Sequence, residues 1–116
     1  MIKNYTDILA YQNSKKLFPI IYKIIRAWSY LDQKELGSQI IRSANSIHAN
    51  IAEGYGKSVN DFKRYLTNAL GSCDEILSHL EDAFNVSLID ENNYIYLKDN
   101  YTIIGKQIYN LRKNWK

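Results

Sequence analysis

The sequence predicts an all-α fold, an antiparallel up-down-up-down four-helix bundle that forms a single domain over residues 1–116. Three observations carry that prediction. Apolar residues recur at spacings of three and four in successive segments, which places them on one face of a helix. Glycine and proline together number only six, too few for the tight turns of an all-β chain. No segment reads as a strand, a repeat or a low-complexity tract. With 46% hydrophobic and 23% charged residues, a chain of 116 is globular and long enough for one modest core.

The first segment contains Ile8, Tyr11, Phe18, Ile21, Ile25 and Trp28 on one face, with Pro19 inside it. Proline removes one backbone hydrogen bond and crowds the carbonyl of Lys15, so a kinked helix is expected there. The second runs from about Lys34 through Leu36, Ile40, Ala44, Ile47 and Ile51, and stops at Gly54 or Gly56. The third opens at Ser58, with Asp61 three residues on as in a capping box, and continues through Phe62, Leu66, Ala69, Cys73, Ile76, Leu80 and Ala83 or Phe84. The fourth has the clearest period: Tyr94, Leu97, Tyr101, Ile104, Ile108, Leu111 and Trp115. Asp90 or Asn92 can start it, and basic residues in its last turns suit the helix dipole.

No apolar run approaches the ~20 residues of a membrane span. The amino terminus lacks the apolar run and cleavage site of a secretory signal, and a lone Cys73 can form no internal disulfide. A cytoplasmic chain is expected. Its net charge of +3 is mild, but the distribution is not. In an up-down bundle one pole collects the start of helix 1, the end of helix 2, the start of helix 3 and the end of helix 4. Ten cations fall there (Lys3, Lys15, Lys16, Lys57, Lys63, Arg64, Lys106, Arg112, Lys113, Lys116) against Asp7, Glu53 and Asp61. The opposite pole keeps five cations and nine acids, so the bundle is expected to be electrically polar.

Catalysis needs an activated group with a partner in hydrogen-bond reach. His48 and His79 fall on different helices and in no catalytic motif. Glu75, His79 and Asp82 share a helix face, yet the paired Glu-x-x-His pattern of di-iron bundles is missing, and a solvated acidic face is the better reading. Cys73 sits on the apolar seam, where it acts as a small core residue. The GYGK tetrapeptide follows a helix and lacks P-loop spacing. No enzyme, metal or cofactor is expected. Nucleic-acid contact is the better candidate, with Lys57, Lys63, Arg64, Lys106, Arg112 and Lys113 as phosphate ligands and Tyr55, Tyr65, Tyr109 and Trp115 close by.

The second helix carries more than a core stripe. Arg42, Ser46, Asn50 and Glu53 fall within about 80° of one another, a polar strip set apart from the apolar face. Arg42 and Glu53 are three turns apart, about 16 Å, and cannot pair with each other. Interhelical hydrogen bonding that sets register is preferred for this strip over a ligand site. Glu53 is disfavoured by the helix dipole and calls for a partner, for which Lys57, Lys63, Arg64 or another subunit are candidates. Ile41, His48 and Tyr55, spaced by sevens, form a further flank that suggests burial against a second copy.

The stretch SANSIHANIAEGYGKS followed by DFKRYLTNALGSCDEILSHL resembles the four-helix-bundle family of intervening-sequence proteins encoded within bacterial 23S ribosomal RNA genes. The family pattern Arg-x-x-x-Ser-Ile-x-x-Asn-Ile-Ala-Glu-Gly is matched by Arg42, Ser46, Ile47, Asn50, Ile51, Ala52, Glu53 and Gly54. The later run is matched by Phe62, Arg64, Leu66, Ala69, Gly71, Ser72 and Glu75, and YTDILAYQNSKKL looks like the family's first helix. His48 departs from the proline often found there. The resemblance implies a ring-like homopentamer. It extends to the accessory variability proteins of diversity-generating retroelements, which implies an RNA or reverse-transcriptase-like protein partner. The leading expectation is a non-enzymatic oligomer that binds RNA or a ribonucleoprotein through its basic pole. The alternative is a protein–protein interaction scaffold that makes no nucleic-acid contact.

Overall fold

In the computed structural model, which describes residues 1–116, four long helices carry the chain: α1 (Leu9–Arg26), α3 (Ser38–Gly54), α4 (Val59–Asn85) and α5 (Glu91–Asn114). A single turn, α2 (Tyr30–Asp32), and a π-helical segment (Gln33–Gly37) lead into α3, and a 3-10 turn (Tyr5–Asp7) precedes α1. The helices pack as a square in which α3 touches α1 and α4, and α5 touches α4 and α1. The body measures 44 × 23 × 19 Å. The up-down topology expected from short connections is therefore present, and no helix is long and apolar enough to cross a membrane.

The core is the stripe that the periodicity marked. Ile21, Ile40, Ile47, Ile51, Phe62, Leu66, Ile76, Leu97, Tyr101, Ile104 and Ile108 are all fully buried. At ~25 cal/mol per Å² of apolar surface removed from water, this burial is the main term holding the helices together. The capping residues also take their expected places. Ser58 Oγ accepts from the Asp61 amide at 3.2 Å, and Asp90 Oδ1 from the Asn93 amide at 2.7 Å. At Ser58 the box is only half formed, because the Asp61 carboxylate turns to Arg64, 3.4 Å away.

Two local features differ from expectation. Helical structure before α3 starts at Tyr30, not Lys34, because Ser29 caps the turn by accepting from the Asp32 amide at 3.2 Å. Tyr30 and Leu31 are exposed, so they carry no periodic signal. The π turn that follows brings Gly37 against α1, where a Cβ would lie 2.8 Å from Ile25 Cγ2. α1 itself continues through Pro19, which faces solvent.

Candidate nucleic-acid interface

Aromatic rings draw the four helix ends of one pole together. Tyr55, just past α3, packs edge-on against Tyr5 before α1 (6.5 Å between centroids), Phe62 of α4 (6.0 Å) and Trp115 after α5 (6.1 Å). Trp115 also meets Phe62 at 4.8 Å. Such edge-to-face pairs contribute ~0.5–1.5 kcal/mol each beyond area burial. Gly54 makes the approach possible, since a Cβ there would lie 2.6 Å from Cβ of Tyr65. The left-handed turn falls two residues later, at Gly56 with φ +88°, a conformation glycine adopts at little cost. Tyr55 and Trp115 therefore seal the pole and offer a ligand little free ring surface.

Of the six cations singled out from the sequence, five lie near this plug in two groups, and Lys106 stands nearer the middle of the bundle, level with Cys73 and Asp74 of α4. Lys57 and Arg64 lie over the ring of Tyr65, at 5.8 and 5.1 Å. On the α4–α5 side, Arg112 donates to Thr67 Oγ1 at 3.0 Å and lies 5.6 Å from the ring of Tyr109. Thr67 stands one turn above half-buried Lys63, whose carbonyl accepts from the Thr67 hydroxyl at 3.0 Å. Lys106 and Lys113 are exposed on α5. The single ion pair of the molecule is Arg64 with Asp61, 63% and 51% exposed, which contributes little in water. Five of the six cations thus have no carboxylate neutralising them.

The polar strip of α3 divides along its length. Ser46 Oγ accepts from Ser72 Oγ of α4 at 2.9 Å and from Asn50 Nδ2 at 3.0 Å. Beside it, Ser43 Oγ donates to Glu75 Oε1 at 3.0 Å. Arg42 and Glu53, at the two ends, are exposed. The partner of Glu53 is none of the candidate cations but the Tyr65 hydroxyl, which donates to Oε1 at 3.4 Å. A tyrosine twelve positions away gave no pairing signal in the sequence.

The flank of Ile41, His48 and Tyr55 is corrected by the structure. His48 is 5% exposed, with Nδ1 2.8 Å from Ser14 Oγ and its ring edge-on to Tyr11 and Phe18. Ile41 is half-buried against the core, and Tyr55 belongs to the aromatic plug. Residues of α1 cover His48, and the two chain ends cover Tyr55 through Tyr5 and Trp115.

Three buried titratable groups are shifted by their surroundings. Burial lowers His48 to about 4, with Lys15 adding to the effect. Burial likewise pushes the Cys73 thiol up to about 12, assisted by Asp74, so the reactive thiolate is not populated near neutrality. Burial also raises Tyr101. No three His, Cys, Asp or Glu side chains converge as metal ligands do.

Fold and site define a class: an all-α four-helix bundle with a cluster of cations at one pole. The model of the 23S rRNA-intervening sequence protein family matches residues 6–110, and the chain belongs to that family. It is also similar to a crystal structure from Bacteroides thetaiotaomicron VPI-5482, a protein of unknown function from the S23 ribosomal protein family. That likeness has a TM-score of 0.82 at 25% identity and covers 94% of this chain and 99% of the other. Comparison with curated proteins gives no match.

Proposed function

We propose that this protein is a non-enzymatic, homo-oligomeric bundle that binds RNA, bare or within a ribonucleoprotein, through its basic pole. One observation carries the reading: Lys57, Lys63, Arg112 and Lys113 have no carboxylate partner and lie by the helix ends of one pole, with Lys106 unpaired further along α5. Unneutralised cations release condensed counterions when they meet phosphates, and this drives binding. Assembly into a ring such as a pentamer would repeat the patch and add avidity. Titration of a labelled RNA over a range of salt concentrations tests the proposal. Affinity should fall steeply with salt, and Lys63→Ala, Arg64→Ala, Arg112→Ala and Lys113→Ala together should flatten the slope. Absence of binding at low salt, or binding unchanged in the quadruple variant, would sink it.

A second reading is a scaffold that binds a protein, such as a reverse-transcriptase-like partner, without nucleic acid. It is favoured by exposed apolar side chains along α1 and α5: Leu9 is 62% exposed, Ile20 38%, Tyr96 47% and Ile103 51%. Salt-insensitive capture of a protein partner by the quadruple variant would support that reading over the first.

A further inference from the structure

A groove of about 370 Å³ runs between α4 and α5 and opens beside Lys106. Gly105 creates it. At that turn α5 presents no side chain, and the nearest atom to a Cβ would be Cβ of Cys73, 4.0 Å away. Buried Cys73 and Tyr101 line its depth, half-buried Leu70 flanks it, and Asp74 and Asn110 stand exposed at the rim. Tyr109 also lines the groove and keeps 51% of its surface exposed, with the Arg112 guanidinium over its ring. Arg112 is in turn held by Thr67, so the pair is positioned before any ligand arrives.

This chemistry is that of a nucleobase pocket. A base is flat and apolar on its faces and carries donors and acceptors on its edges, matching apolar depth and a polar rim. Asp74 repels phosphate, so the backbone is excluded from the groove and kept to the cations. We infer that the α4–α5 groove takes the base of an unpaired nucleotide against Tyr109, while Lys106, Arg112 and Lys113 hold the flanking phosphates. The inference rests on the RNA reading and narrows it to single strands, because a duplex keeps its bases stacked and out of reach.

The test compares a fluorescent single-stranded RNA with its fully paired duplex on the full chain by anisotropy. Wild type should prefer the single strand. Gly105→Leu, which fills the groove, and Tyr109→Ala, which removes the ring, should each weaken single-strand binding about tenfold and weaken duplex binding much less. Equal affinity for the two RNAs, or single-strand binding untouched by both substitutions, overturns the groove and leaves the basic pole standing. No binding of either RNA at low salt overturns both. Should a variant fail to fold, 4-thiouridine crosslinking of wild type decides: the adduct should map to the α5 peptide containing Tyr109, and an adduct elsewhere overturns the proposal.

Discussion

His48 illustrates how a residue's chemistry is set by what covers it. A histidine on a helix flank reads as available, yet in the bundle it is sealed by Tyr11, Phe18 and a hydrogen bond to Ser14. Its pKa falls from 6.5 to about 4, so the folded protein holds it neutral where the unfolded chain protonates it. The stability it supports is present above pH 6.5 and is lost as pH falls toward 4, up to about 3 kcal/mol. Urea unfolding at pH 7 and pH 4.5 should show a larger acid loss for wild type than for a His48→Phe, Ser14→Ala variant. Equal losses would remove His48 from the account. Tyr101 supplies the opposite case. It is 0% exposed, and its hydroxyl has no hydrogen-bond partner in the chain. An unpaired buried hydroxyl destabilises, so Tyr101→Phe should leave stability unchanged or raise it by about 1 kcal/mol. A fall in thermal midpoint would show that the hydroxyl has a use in the folded state.

At the scale of the element, the helix ends were more legible than the connections. Ser58 and Asp90 are capping residues by type, and they cap. The end of α4 is different. Leu88 donates its amide to the Ala83 carbonyl at 2.8 Å and Ser87 to Phe84 at 3.0 Å, the pairing of a Schellman motif, with Ser87 at φ 65° where glycine is usual. Nothing in the residue type announces that conformation; it follows from docking Leu88 against the core. A side chain in the left-handed region costs roughly 1 kcal/mol, so Ser87→Gly should raise stability by about that much in a thermal melt. A lowered midpoint would mean the loop is held by the serine itself. Pro19 is tolerated in α1 for a related reason: it faces solvent, where water can serve the Lys15 carbonyl that proline leaves without a donor.

For the whole molecule, the arrangement of helices brings Lys57, Lys63, Arg64, Arg112 and Lys113 to one end of a chain whose net charge is only +3. It also leaves apolar surface in an unexpected place. Helix α5 carries Ile95, Tyr96 and Ile103 exposed on its outer side, 46%, 47% and 51%, apart from its buried seam. Beside it on α1 stand Leu9 and Ile20, next to an Asn13–Gln107 hydrogen bond of 3.1 Å that ties the two helices. Surface of this kind favours covering by another copy, so we propose the α1–α5 face, in place of the α3 flank, as the contact of an oligomer. Ile103→Glu with Leu9→Glu should reduce the assembly to monomer in light scattering while the helical circular dichroism is kept. A wild-type chain already monomeric at high concentration, or an assembly unaffected by both charges, would rule this face out.

The apolar period, the caps and the up-down order are written in residue types, because burial of one stripe per helix is a local pattern that any compact packing must satisfy. Charge polarity follows from the same order, since antiparallel helices bring alternate ends together. What only the tertiary structure decided is which neighbour each remaining side chain meets. Glu53 turned to Tyr65, His48 to Ser14, and Gly54 and Gly37 were needed for close approach. These pairings depend on the rotation and separation of adjacent helices, to which spacing along one chain is blind.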